Sequence, residues 1–69
     1  MDHVLNSLRP YLEVELDMVT EEWRSGEYGK LSECPSYDSL KTLVGAANII
    51  RKYLGIGTLK IKNMVEEMS

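Results

Sequence analysis

Apolar residues recur at helical spacing along the first third of the chain. Separations of 3, 4, 4, 3 and 4 positions join Leu5, Leu8, Leu12, Leu16, Val19 and Trp23. This spacing places them on one face of an α-helix. Val4, Tyr11 and Met18 each precede a member of this stripe. The apolar face is therefore wider than contact with one neighbouring helix requires.

Pro10 decides where this helix is predicted to begin, because a proline inside a helix costs about 3 kcal/mol in a lost hydrogen bond and a steric clash. With Ser7 as the N-cap, Pro10 falls in the first turn, where its missing N–H is not needed. We therefore predict a first helix over residues 8–25, with Gly26 just beyond its end. The alternative is an earlier turn over residues 2–7 and a kink at Pro10.

Residues 26–36 are predicted to form a connector, because two glycines, two serines and a proline interrupt the apolar pattern. Within the connector, we expect Tyr28 and Leu31 to fold back over the end of the core. A second helix is predicted over residues 37–54, with Ser36 as its N-cap.

The second helix has its own apolar stripe, with separations of 3, 4, 3 and 4 positions between Leu40, Leu43, Ala47, Ile50 and Leu54. Gly55 is predicted to end this helix, and Ile56 is the apolar residue expected after such a cap. Thr58 is predicted to cap a short third helix over residues 59–68, which needs a surface to lie on. The pattern predicts an all-α fold: an antiparallel helical hairpin with a short third C-terminal helix, in one small domain.

Gly45 lies inside the second helix, where glycine costs about 1 kcal/mol relative to alanine. Its neighbours in sequence are small or slim, so another backbone could approach closely there. Three interpretations stay open. Gly45 faces solvent without a packing role, or it contacts the first helix near Trp23 or Leu16, or it contacts a second copy of the chain.

Charge is divided unevenly along the chain. Residues 1–34 have eight acidic and three basic side chains, net −5, and residues 35–69 have three acidic and five basic ones, net +2. The total of −3 argues against nucleic-acid binding, which depends on phosphate contacts. The alternative function is a small helix-turn-helix-like regulator. Its contacts to nucleic acid would come from Arg51, Lys52, Lys60 and Lys62.

Residue types that carry catalysis are sparse. Cys34 is the only cysteine and His3 the only histidine, and they are far apart in sequence. We expect the Cys34 thiol to be a surface or cap group and the His3 imidazole to be solvated. The adjacent acids at 21–22 and 66–67 point in different directions on a helix and are expected to be solvated. We predict no catalytic, cofactor-binding or metal-binding residue, and we do not expect an enzyme.

The N-terminal residues lack the basic and apolar blocks of a secretion signal. The longest nearly uncharged run, residues 42–50, is far shorter than the ~20 residues that a membrane span needs. We therefore expect a soluble, cytoplasmic protein without a membrane partner.

Two stretches resemble the helices of short proteins that tailed bacteriophages encode, often near head genes. "LRPYLEVELDMVTEEWRSGEY" is similar to their acidic first helix, and "YDSLKTLVGAANIIRKYL", with Leu-Val-Gly at 43–45, is similar to their second helix. The resemblance covers residues 8–54. The family pattern has a second glycine where this chain has Asn48 or Ile49. The resemblance implies a non-enzymatic helical hairpin of phage origin, in the host cytoplasm or the virion.

We predict a small helical protein that acts by protein–protein interaction or self-assembly, as a phage structural, assembly or accessory factor. The expected partner is a second copy, a phage protein or a host protein. The residues expected at packing and contact surfaces are Leu12, Leu16, Val19, Trp23, Leu40, Leu43, Val44, Gly45, Ala47, Ile50, Leu54, Met64 and Met68.

Overall fold

A computed structural model describes residues 2–68 and confirms the all-α fold class, with three α-helices and no strand in that range. Helix α1 spans Asp2–Arg24, α2 spans Tyr37–Tyr53 and α3 spans Ile61–Met68. A 3-10 turn at Leu31–Glu33 lies in the connector. Helices α1 and α2 pack together as an antiparallel hairpin, and α3 lies against both.

Helix α1 begins six residues earlier than the predicted start at residue 8. Ser7 is not an N-cap, because it lies inside the helix and its hydroxyl donates to the His3 carbonyl at 2.8 Å. Pro10 has no N–H for the Asn6 carbonyl, but both residues are exposed, so water can replace that bond. The burial of apolar residues before Pro10 offsets the remaining cost, since Leu5 is half-buried.

Glycines end both long helices, as predicted. Gly26 and Gly55 each have a φ of +76°, the left-handed conformation that glycine adopts without steric cost. After α2, the Gly55 N–H donates to the Lys52 carbonyl at 3.1 Å, and the Ile56 N–H donates to the Arg51 carbonyl at 3.0 Å. This pair of bonds is the Schellman motif, which satisfies the last carbonyls of a helix.

The core is small and draws on every part of the chain. Its buried members are Val19, Cys34, Leu40, Val44 and Val65. Half-buried side chains from the hairpin, the connector and α3 surround this cluster. Among them are Tyr28 and Leu31, which confirms that the connector folds back over the core.

Two polar side chains fix the ends of the connecting segments. The Glu22 carboxylate of α1 accepts hydrogen bonds from the N–H and the hydroxyl of Ser36, which precedes α2. Ser36 holds the predicted N-cap position, but its side chain makes no capping bond within α2. Asn48 of α2 bonds to both backbone groups of Leu59, so α3 begins at Ile61, two residues later than predicted.

Candidate interaction surface

The position of α3 divides the hairpin into two sides. From α1, the Arg24 guanidinium donates to the Met68 carbonyl at the end of α3. From α2, the Asn48 Nδ2 donates to the Leu59 carbonyl at 3.0 Å, and the Leu59 N–H donates to Asn48 Oδ1 at 2.7 Å. Helix α3 and the segment before it therefore cover one side of the hairpin, the α3 side.

Three consecutive residues of α1 point in three different directions, because each residue of an α-helix is turned by about 100° from the previous one. Val19 faces α2 and is fully buried. Thr20 faces the α3 side and is buried as well. Met18 points the opposite way and is 45% exposed. The flank of α1 that is turned away from α3 is therefore uncovered.

An apolar stripe runs along this uncovered flank of α1. Its members are Val4 (37% exposed), Tyr11 (65%), Val14 (57%) and Met18 (45%). Separations of 7, 3 and 4 positions keep them on one face of the helix. The sequence indicates a wide apolar face, and the structure divides it into a buried stripe and an exposed one.

Helix α2 has a matching apolar flank. Asn48 marks the α3 side of this helix, and Leu43, Ile50 and Leu54 are each turned more than about 100° away from it. Leu43 and Ile50 are half-buried, and Leu54 is 36% exposed. These three side chains therefore leave apolar surface open on the side of α2 that is turned away from Asn48.

The two flanks form one surface, because the hairpin is antiparallel and both flanks lie opposite α3. The contact of Glu22 with Ser36 sets the register, and counting along the antiparallel helices from it puts Val4 at the level of Leu54 and Met18 at the level of Leu40. We call this surface the open face; it consists of Val4, Tyr11, Met18, Leu43, Ile50 and Leu54. Val14 lies at its rim on α1.

Gly45 makes no close contact with α1, so of the three interpretations the one that packs it near Trp23 or Leu16 is wrong, and in the single chain the glycine faces solvent. The glycine is exposed, and an added Cβ would meet no atom within 4 Å. It lies on the outer surface of α2 with Ile49, which is 73% exposed, and Tyr53. The helix geometry explains the difference, because Gly45 is about 100° away from the buried Val44. Contact with a second copy stays a prediction.

Two grooves lie on the α3 side. One, of about 520 Å³, is lined by apolar residues and by Arg9 and Arg51. The other, of about 470 Å³, lies beside Trp23 and is lined by Lys30 and Lys62 among others. Both are open troughs between helices.

Two of the four bases in the helix-turn-helix alternative lie at different grooves of the structure. Arg51 donates through Nε to the Gly57 carbonyl, while Lys62 lines the groove beside Trp23. Residues 54–60 separate α2 from α3, which is longer than the 3–4-residue turn of a helix-turn-helix. Helix α3 also buries Val65 against the hairpin. The geometry gives this alternative no support.

Cys34 is not a surface thiol; it is 3% exposed and belongs to the core cluster. The connector folds over the hairpin end and carries the cysteine inward with it. Burial raises the pKa of the thiol, and the nearby carboxylates of Glu22 and Glu33 raise it further. The thiol therefore stays protonated at neutral pH and packs as a small apolar group.

Two further observations concern ligands and membranes. Among the described residues, no group of three or more His, Cys, Asp or Glu side chains is placed to hold a metal ion. Within residues 2–68, no helix is both long and apolar enough to cross a membrane.

The predicted packing residues fall into three groups. Val19, Leu40, Val44 and Ala47 are buried, and the half-buried ones are Leu12, Leu16, Leu43, Ile50 and Met64. The exposed members are Trp23, Gly45, Leu54 and Met68.

Sequence reasoning missed two polar residues that position the elements, Glu22 and Asn48. Glu22 is half-buried rather than solvated, because its carboxylate binds Ser36. Nothing in its local spacing distinguishes Glu22 from its exposed neighbour Glu21. For Asn48, the sequence does offer a signal, because a side-chain amide between apolar residues of a helix indicates a specific hydrogen-bond partner.

The net charges of the two long helices have opposite signs. Helix α1 carries six acidic and two basic side chains, and α2 carries one acidic and three basic ones.

Comparison with protein-family models, with curated proteins and with solved structures finds no match to this chain.

Proposed function

We propose that this chain acts by protein–protein interaction or self-assembly through the open face, without catalysis. The observation that carries the proposal is the uncovered apolar flank shared by α1 and α2, with Tyr11 65% exposed at its centre. Exposed apolar side chains that form one contiguous patch are a common feature of protein-interaction sites.

The size of the chain supports the same proposal. Its accessible surface is 4829 Å², against roughly 4400 Å² for a compact monomer of this mass. Among the residues whose burial the structure describes, five form the buried cluster of the core, and so small a core leaves a chain marginally stable on its own. Association through the open face would bury apolar surface that the hairpin cannot cover by itself.

The resemblance of residues 8–54 to small phage proteins extends the proposal. On that basis, we propose an assembly or accessory factor of a tailed phage, present in the host cytoplasm or the virion. Its partner would be a second copy, a phage protein or a host protein. This part depends on the Leu-Val-Gly helix and the acidic first helix, and not on the open face.

Photo-cross-linking in the native host tests the proposal. A benzoylphenylalanine at position 11 lies on the open face, and one at position 13 lies on the same helix but points away from it. We expect a protein adduct from position 11 and none from position 13. Equal labelling from both positions, or none from either, would remove the open face as a binding surface.

A further inference from the structure

The geometry points to a second binding site, in the groove of about 520 Å³ that Arg9 and Arg51 line on the α3 side of the hairpin. We call it the arginine groove. Its occupant is a short acidic segment of a partner protein, with a carboxylate bound by the arginines and apolar side chains on the floor of the groove. This inference goes beyond the proposed function, because the open face lies on the other side of the hairpin.

The arginine groove lies where α3 leaves the hairpin uncovered. The hydrogen bonds of Asn48 hold Leu59, just before α3, and the Met68 carbonyl at the end of α3 lies at the C-terminal end of α1. Helix α3 therefore covers the half of the hairpin that is nearer to the connector. The groove lies beside the other half, since its lining residues on α1 fall between positions 5 and 12.

The groove is positively charged in a chain whose net charge is −3. Arg9 of α1 and Arg51 of α2 both line it, and no Asp or Glu is among the lining residues that the structure describes. No ion pair or hydrogen bond joins the Arg9 guanidinium to another described residue. A guanidinium binds a carboxylate through two parallel N–H···O bonds, so an acidic group is the complement of this site.

Arg51 is already held in position at the groove. It is half-buried, and its Nε donates to the Gly57 carbonyl. The guanidinium has five N–H donors, so the two terminal nitrogens remain available for an anion. A side chain that is ordered before binding loses less conformational entropy when the ligand arrives.

The floor of the groove is apolar. Leu5 and Leu12 are half-buried, Ala47 is buried, and Ile56 is 44% exposed at the edge. The occupant therefore carries apolar groups next to its carboxylate. The groove is an open trough, whereas small-molecule sites enclose most of the ligand surface. An open trough suits a segment of polypeptide, one side of which stays in contact with solvent.

Selection from a display library of short random peptides on the purified chain tests the chemistry of the occupant. We expect enriched peptides with Asp or Glu beside apolar residues. A labelled synthetic peptide of the enriched sequence should bind in solution, measured by fluorescence anisotropy, and should lose affinity when its acid is replaced by the matching amide. No enrichment, or enrichment of peptides without acids, would overturn the inference.

Two variants that each remove one positive charge locate the binding site. Arg9→Gln should weaken binding of the peptide about tenfold or more, because hydrogen bonds to a charged group are lost. Lys52→Gln should leave binding unchanged, because Lys52 is exposed and lines neither groove. Both changed positions are exposed, so the fold is kept. Equal weakening by both variants would show unspecific attraction and would overturn the site.

Decanoate, a small apolar carboxylate, distinguishes the peptide from a small-molecule ligand. We expect it to compete much more weakly than the unlabelled peptide. Binding as tight as that of the peptide would overturn a protein segment as the occupant. The proposed function does not depend on these results, because cross-linking from position 11 reports on the open face and not on the arginine groove.

Discussion

The Glu22 carboxylate binds both polar hydrogens of Ser36 and thereby joins the end of α1 to the start of α2. Its Oε1 accepts the Ser36 N–H at 2.9 Å, and its Oε2 accepts the hydroxyl at 2.8 Å. The N–H is one of the donors at a helix N-terminus that have no acceptor within the helix, and a negative charge there is favourable for the helix dipole. This contact sets the register of the hairpin and thus the composition of the open face.

Glu22→Ala should lower the free energy of unfolding by about 1–3 kcal/mol, because it leaves the partly buried Ser36 N–H without an acceptor. Urea unfolding followed by circular dichroism measures the change. The neighbouring exposed acid provides the control, and Glu21→Ala should change stability by less than about 0.5 kcal/mol. Equal effects of the two substitutions would show that the contact with Ser36 contributes nothing specific.

Gly45 and Gly55 should respond in opposite ways to alanine. Gly45→Ala should stabilise the chain by about 0.5–1 kcal/mol, because the helical site has open space and alanine is the better helix former. Gly55→Ala should destabilise it by about 1 kcal/mol, because the φ of +76° is strained for a residue with a Cβ. Thermal melts of both variants test this pair. A loss of stability at Gly45 would indicate a close contact there after all.

The chain should become more stable when the Thr20 hydroxyl is removed. Its Oγ1 is buried without a hydrogen-bond partner, an arrangement found at no other side chain described between residues 2 and 68. Thr20→Val should raise the free energy of unfolding by about 1 kcal/mol, since the shape is kept and the unpaired group is lost. Thr42→Val is the control, because the exposed Thr42 hydroxyl donates to Asp38. If Thr20→Val destabilises the chain, the hydroxyl has a partner in solution.

Cys34 should make stability depend on pH in the alkaline range. Burial raises the thiol pKa above its ordinary value of 9.0, so the unfolded chain loses this proton before the folded chain does. The stabilising contribution is complete below about pH 9 and is lost as pH rises through the folded pKa. Denaturant unfolding of the wild type and of Cys34→Ala across this range gives the difference. Parallel curves for the two proteins would show that the thiol is accessible to water.

The helices and their ends follow from local rules, and so the sequence predicts them well. The spacing from Leu40 to Leu54 defines α2, and the glycines after both long helices adopt the conformation expected of them. The start of α1 is predicted too late. The prediction counts the full free-energy cost of a proline inside a helix, whereas water at the exposed Pro10 can replace the lost hydrogen bond and reduce that cost.

The contacts that orient the elements could not be predicted from spacing. Glu22 reaches Ser36 across 14 positions, and Asn48 reaches Leu59 across 11. Such bonds depend on tertiary geometry, which one sequence does not show. Cys34 illustrates the same limit, because its burial follows from the path of the connector rather than from its neighbours in sequence.

Oxidation of two methionines tests the central proposal in its self-assembly form, in which copies of the chain associate through the open face. Met18 lies on the open face and Met68 does not, yet their exposures in the single chain are nearly equal, 45% and 43%. Initial rates of oxidation by dilute peroxide are read by mass spectrometry at low and high protein concentration. We predict that Met18 becomes protected relative to Met68 as concentration rises, because only Met18 enters the interface. Equal rates for the two residues at every concentration would contradict the account.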